Sequence, residues 1–272
     1  MALIEAVELR KVYPNGTVGL DGLNVKIERG EMVGVLGRSG AGKTTFFRLL
    51  NGSIRPSGGQ LKVLDQSLEQ STNRKALRHL RAGVAVVYQN SNVIPSLSAM
   101  QNVLLGRLGR VSTLHALRSL FLVPENERLT AAQALHLVGL ADKLYTRADE
   151  LSGGQQQRIA IARAIVQRAP LVLGDEPIAS VDIRTAGLIL DLFKRLNQEL
   201  GVTVLLNLHQ VDFALQYCQR LLVLSHGKLV YDGAPDGIKN IELYADDPAK
   251  SETEELSDEN QAEAAINLKP AY

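Results

Sequence analysis

The chain of 272 residues has no tryptophan, a single cysteine and only three methionines, and aromatic residues make up just 4% of it. The lone thiol, Cys218, excludes an intrachain disulfide framework and suits a reducing compartment. Its setting, Phe213-Ala214-Leu215-Gln216-Tyr217-Cys218, predicts a small core residue rather than a reactive one. Long apolar runs are also missing. None approaches the roughly 20 residues that span a bilayer, and no basic, apolar, cleavable leader opens the chain. The expectation is a cytoplasmic protein, so that any work at a membrane needs another polypeptide to supply the spanning helices. Charge of one sign is not in excess: a formal net charge of +1 carries no nucleic-acid signature, and none is expected as a partner. No internal repeat with a solenoid's period is present.

What remains is ordinary globular material, 45% hydrophobic and 22% charged, enough for one substantial core or a core with an inserted lobe. The charge is uneven. Between Asp246 and Glu263, Lys250 is the only base among eight acids, which leaves the preceding residues net basic. The expected division is a folded domain over residues 1–245 and an acidic, disordered or loosely helical tail over 246–272.

Leu3–Val12 and Asn24–Glu28 read as strands, and Pro14-Asn15-Gly16 and Asp21-Gly22 as turns, which predicts an antiparallel β-lobe. Val84–Tyr88, Leu171–Leu173 and Val202–Leu206 read as buried strands, and Ile183–Leu200 as an amphipathic helix. Residues 90–167 between them lack a long strand and show helical spacing, for example Leu129, Ala132, Leu135 and Val138. The fold class is therefore α/β: a mostly parallel core sheet covered on both faces, an antiparallel β-lobe and an inserted helical subdomain. Chemistry is expected at the carboxyl ends of the parallel strands.

The run Gly37-Arg38-Ser39-Gly40-Ala41-Gly42-Lys43-Thr44-Thr45 follows the apolar stretch Met32–Leu36 and leads into Phe46–Leu50. It fits the strand–loop–helix P-loop, in which backbone N–H groups curl around a nucleotide's phosphates. In that setting Lys43 reaches the β- and γ-phosphates and the Thr44 hydroxyl ligates Mg²⁺. A second phosphate-binding helix start lies at Leu151-Ser152-Gly153-Gly154-Gln155, ahead of the helix-prone Gln156–Ala164.

Together the two motifs resemble those of the ATP-binding cassette (ABC) family, over residues 3–235. The resemblance implies head-to-tail homodimers in which one subunit's P-loop and the other's signature loop, Ser152-Gly153-Gly154-Gln155, clasp one ATP. It implies that Asp175, at the end of Leu171-Val172-Leu173-Gly174, organises Mg²⁺, and that Glu176 polarises the attacking water. Gly174 departs from the bulkier residue common in the family. His209 is implied to contact the γ-phosphate and hold the water and Glu176 in place, whereas His79, His115, His136 and His226 fit no such context. Gln89 matches the family's hinge glutamine, which reaches Mg²⁺-bound or nucleophilic water. Tyr13 matches the residue that stacks on adenine, with a packing role at the strand end as the competing reading. Asp182, in Ser180-Val181-Asp182, matches the loop contacting the other subunit, although Val181 stands where the family usually has leucine.

Ser98–Gly109, Glu176–Asp182 and Leu208–Ala214 resemble, more narrowly, the ATPase subunits of phosphonate importers. That resemblance implies a peripheral ATPase on the cytoplasmic face of the inner membrane. It would drive separate permease subunits fed by a solute-binding protein and admit a permease helix near Gln89 and residues 90–110. The spacing of Leu114, Leu117, Leu120 and Phe121 fits core packing, and Arg107, Arg110 and Arg118 are expected in solvent or near the permease. The alternatives are a soluble ABC ATPase of a phosphonate-degrading or other assembly, and a nucleotide-dependent scaffold. Glu176 and His209 argue against the scaffold.

Overall fold

The computed structural model describes residues 2–68, 73–109 and 123–240. The chain divides into two compact units, Met1–Asp236 and Gly237–Tyr272. Of the second, only the end of the 3-10 turn Pro235–Asn240 falls within the described residues. The acidic segment 246–272, the Leu114, Leu117, Leu120 and Phe121 series, and Arg110 and Arg118 lie outside them.

The first unit holds two sheets. Strands β1 (Ala2–Val12), β2 (Val18–Glu28), β4 (Gly58–Val63) and β5 (Gln66–Ser67) form an antiparallel sheet in the order β2-β1-β4-β5. The second sheet contains β3 (Met32–Leu36), β6 (Val84–Tyr88), β7 (Leu171–Asp175), β8 (Thr203–Asn207), β9 (Arg220–Ser225) and β10 (Lys228–Gly233). Its order is β10-β9-β3-β8-β7-β6, parallel throughout except for the β9–β10 hairpin. Every residue of β3 and β8 is buried, as expected of central parallel strands covered on both faces.

Helix α1 (Lys43–Leu50) joins the sheets. Its Phe46, Phe47, Leu49 and Leu50 are buried in one core with Ile4, Leu9, Leu20 and Ile27 of the antiparallel sheet and Val33, Val35, Leu173 and Leu205 of the parallel one. Each such side chain contributes about 1.5–3 kcal/mol through burial. The P-loop helix is thereby fixed on both sides.

The antiparallel sheet departs from the sequence reading at one place. Asp21-Gly22 is not a turn but lies inside β2. The register steps from Leu9↔Leu23 to Lys11↔Leu20, so two residues of β2 oppose one of β1, and Gly22 takes a φ of 74°. This is a β-bulge, which needs the same left-handed backbone as a turn. A second register step lies beside it, between Ala6↔Val25 and Leu9↔Leu23, with Glu8 at φ 49°. There the Glu8 amide donates to Asn24 Oδ1 at 2.8 Å.

The other described helices are α2 (Arg74–Gly83), α3 (Ala99–Leu104), α4 (Glu125–Leu137), α5 (Gly153–Gln167), α6 (Ile183–Leu200) and α7 (Val211–Tyr217). Helix α6 is capped by Asp182 at its start and by Gly201, at φ 65°, at its end. It buries Ala186, Ile189, Leu190, Phe193 and Leu196. In α4 the buried face is Ala131, Ala134 and Leu135, while Leu129 is exposed. Arg107 is not free in solvent, because it pairs at 3.3 Å with the buried carboxylate of Glu127.

Candidate functional site

Register in the parallel sheet decides which groups meet. Tyr88 pairs with Asp175, Asp175 with Asn207, and Asn207 with Val35, so the ends of β6, β7, β8 and β3 form one row. Directly beyond that row come Gln89, Glu176, His209 and the P-loop, all at the carboxyl edge where an open α/β sheet offers its crevice.

The P-loop is shaped by its glycines. Gly37, Gly40 and Gly42 have φ of 147°, 79° and 107°. A Cβ on Gly37 would collide with the Leu224 carbonyl, and one on Gly42 would stand 2.5 Å from the Gly19 carbonyl oxygen, whereas Gly40 faces open space. Arg38, Ser39 and Thr44 are exposed, while Ala41 is buried and its carbonyl accepts from the Gly227 amide at 3.0 Å. Lys43 is buried and its ammonium donates to the carbonyls of Gly37 at 2.6 Å and Arg38 at 3.0 Å, folding it back over the loop. Burial pushes this ammonium below the ordinary lysine range, and the charges of Glu176 and Asp175 oppose the shift. Thr45 is turned inward and its hydroxyl meets that of Tyr13 at 3.1 Å. The Tyr13 ring, with Lys11 Nζ 5.5 Å from its centre, therefore lies against the start of α1.

The two acids at the end of β7, Asp175 within it and Glu176 just past it, have distinct settings. Asp175 Oδ1 accepts from Asn207 Nδ2 at 2.8 Å. Glu176 takes a φ of 55°, unusual for a residue with a side chain, and its amide donates to the Asn207 carbonyl at 3.2 Å. The turned backbone brings Glu176 Oε1 to 2.7 Å from His209 Nε2. Strain held at a fixed contact of this kind accompanies functional sites. Gly174 has a steric reason: a Cβ there would stand 2.7 Å from Leu206 Cδ2 and 3.1 Å from Pro177 Cγ.

Gln89 Nε2 donates to Ser180 Oγ at 3.2 Å, bringing the end of β6 beside the loop that leads to Asp182. Asp182 caps α6, accepting from the Thr185 amide at 3.0 Å and hydroxyl at 2.6 Å, and these bonds hold its carboxyl below the usual carboxylate range. Ser152 and Gln155 form a capping box at α5: Ser152 N donates to Gln155 Oε1 at 2.9 Å and Gln155 N to Ser152 Oγ at 3.3 Å. Gly153 faces open space, while a Cβ on Gly154 would stand 2.5 Å from Thr185 Cγ2. The buried Cys218 is free, and burial pushes its thiol up to about 12.

A family model described as ABC transporter matches residues 20–179. The chain belongs to the ABC transporter family. The phosphonates import ATP-binding protein PhnC of Bacillus thuringiensis subsp. konkukian is 40% identical over 258 residues, covering 94% of this chain and 99% of that protein. PhnC of Lactococcus lactis subsp. cremoris is 41% identical over 231 residues, covering 85% and 93%. Among solved structures, the ATP-binding cassette MJ0796 in a dimeric post-hydrolysis state bound to ADP and Pi aligns with a TM-score of 0.74 at 28% identity, covering 85% of this chain and 98% of that one. The cassette cbiO1 from Clostridium perfringens, part of an ABC transporter complex, aligns with a TM-score of 0.76 at 28% identity, covering 87% and 90%.

As a member of the ABC family the chain is an ATP-hydrolysing transporter subunit, and the parallel sheet with its separate antiparallel sheet is the family's architecture. ATP and Mg²⁺ binding is typical of such a domain. The residues fit both groups. The P-loop's tight glycines keep its backbone free of side chains, and Thr44, Gln89 and Asp175 offer only oxygen donors of the hard kind Mg²⁺ takes. Asn207 is the site residue that the sequence reading missed. It was visible only as the polar end of an apolar run, Val204-Leu205-Leu206-Asn207. No helix among the described residues is long and apolar enough to cross a membrane.

Proposed function

We propose that this chain energises uptake of phosphonate or a related phosphorus oxyanion. It would work as a head-to-tail homodimer at the cytoplasmic face of the inner membrane, bound to separate permease subunits that a solute-binding protein supplies. The observation that carries the reading is the similarity to phosphonate import proteins over nearly the whole of both chains. In this reading residues 1–245 are the ATPase domain, with 90–167 as its helical subdomain and 246–272 as a tail.

ATP is the substrate. Gly37, Arg38, Ser39, Gly40, Ala41, Gly42, Lys43, Thr44 and Thr45 cradle its phosphates, with the Lys43 ammonium leaving its own loop carbonyls for phosphate oxygens. Tyr13, tied to Thr45, stacks on the base. Thr44, Gln89 and Asp175 would hold Mg²⁺, which would supply neutralisation of charge on the phosphate oxygens. Glu176 accepts a proton from the attacking water, and His209, already 2.7 Å from Glu176 Oε1, orients that carboxylate. Ser152, Gly153, Gly154 and Gln155 meet the γ-phosphate held by the other subunit, a role supported by the open face of Gly153, and Asp182 lies at the contact between subunits.

In vesicles holding the cognate permease, binding protein loaded with a phosphonate or phosphite should raise ATP hydrolysis, and sugars or amino acids should not, because loaded binding protein and ATP bias one conformational equilibrium. Stimulation by an unrelated solute, with phosphonates inert, would keep the importer and overturn the substrate class.

A further inference from the structure

Asn207 is the one polar residue at the inner end of a strand whose other late members are Val204, Leu205 and Leu206, and it is fully buried. Among the described residues its Nδ2 has one partner, Asp175 Oδ1 at 2.8 Å, and its own Oδ1 has none. An amide buried with half of its polar atoms unpaired costs folding free energy that an apolar side chain would not, so packing does not account for it. The bond it makes lies on Asp175, and its main-chain carbonyl receives the amide of Glu176. One residue on β8 thus bonds both Asp175, the last residue of β7, and Glu176 just after it, two residues ahead of the histidine that meets Glu176 Oε1.

We propose that Asn207 is a positioning residue for the metal step. By occupying Asp175 Oδ1 as a donor, it fixes the carboxylate's rotation and leaves Oδ2 as the oxygen turned to Mg²⁺ or its water. A buried donor that cannot ionise does this without adding charge beside the ion. The inference rests on the proposed role of Asp175 and adds a residue on a different strand that sets the geometry of that acid.

The test uses Mn²⁺ as the probe, followed by electron paramagnetic resonance in the full-length protein saturated with ADP. Asn207→Leu removes the amide and keeps the branched shape at a larger volume; Asn207→Ala serves if leucine overpacks the site. Both should raise the half-saturating Mn²⁺ concentration about tenfold or more, within the roughly 10–100-fold range of outer-shell partners of metal ligands. ADP affinity in EDTA should stay within twofold. A purely structural role predicts the reverse pattern, lowered unfolding temperature and unchanged Mn²⁺ affinity, and that result overturns the inference. So does a parallel loss of ADP affinity in EDTA. Asp175→Asn separates the two levels of the argument. If it leaves Mn²⁺ affinity intact, the assignment of Asp175 fails. If it weakens Mn²⁺ while both Asn207 variants bind normally, only the role of Asn207 fails.

Discussion

Replacing Gly42 by alanine tests whether the P-loop is held by steric closeness or only by backbone preference. At φ 107° the backbone is unfavourable for any residue with a Cβ, at about 1–2 kcal/mol. The new methyl would also stand 2.5 Å from the Gly19 carbonyl oxygen and 3.0 Å from Leu20 Cδ2. Neither neighbour can retreat easily: Leu20 is fully buried in the core, and Gly19 has the Thr45 side chain against it. Forcing a methyl into such packing costs about 1–3 kcal/mol more. The total, roughly 2–5 kcal/mol, is a large part of the about 5–15 kcal/mol that holds a domain folded. Gly40→Ala is the matched control, since Gly40 has φ 79° and nothing near its missing Cβ. It carries the backbone term alone, partly offset by about 0.4–1 kcal/mol from a stiffer unfolded chain. Thermal unfolding in EDTA without nucleotide keeps ligand binding out of the comparison. At about 2 °C per kcal/mol for a chain of this size, Gly42→Ala should melt roughly 2–6 °C below Gly40→Ala. Equal midpoints would refute the steric argument and mean that the segment around Gly19 yields.

Two further outcomes follow from the site and the core. Glu176→Gln should lower turnover at least about a hundredfold while ATP affinity changes little, and gel filtration should show an ATP-bound dimer accumulating; near-normal turnover would remove Glu176 from its role. Cys218 gives a pH test. Its thiol ionises at about 12 in the folded chain against 9.0 for the free group, so above about pH 9 the unfolded state binds fewer protons and stability falls as pH rises. The contribution lost between about pH 9 and 10.5 is roughly 1.5 kcal/mol, to be read from urea midpoints as the difference between wild type and Cys218→Ala. Parallel pH curves for the two proteins would show that the thiol is not shielded.

Elements coded by neighbouring residues were legible in the sequence. Helix α6 has the bounds its pattern implied, Ile183–Leu200, because its cap at Asp182, its end at Gly201 and its apolar spacing agree with one another. The P-loop strand and helix were legible for the same reason, since the whole unit lies within one continuous stretch. Features that depend on a distant partner were not. Asp21-Gly22 has the composition of a turn, but pairing with β1 carries the strand through it as a bulge. Leu129 sits at helical spacing with Leu135, yet the core lies against Ala131 and Ala134 instead. The link from Asn207 to Asp175 exists only once β7 and β8 are in register, and no local pattern specifies that register. The contact of Glu176 with His209 depends on the same pairing and on the turned backbone at Glu176.

Helix α5 joins two parts of the site that lie far apart in sequence. Its first turn is the Ser152-Gly153-Gly154 cap, and one turn on, the buried Gln157 donates to the Tyr88 carbonyl at 2.9 Å, immediately before Gln89. At its last turn Gln167 donates to the carbonyls of Arg81 at 2.9 Å and Val84 at 3.0 Å, at the other end of β6. Between them Arg163 bonds the Asn92 carbonyl at 2.9 Å and the Asn102 carbonyl at 3.2 Å, and burial pushes its guanidinium below the ordinary range. Pulling β6 away from α5 would leave the buried Gln157 amide without its partner, at about 1–3 kcal/mol, while the half-buried Arg163 and Gln167 could turn to water at less cost. Sliding all of them together costs none of that. A shift at the end of β6 therefore favours a matching shift at the start of α5 through the Gln157 tie, which couples the sites proposed for Gln89 and for the signature cap.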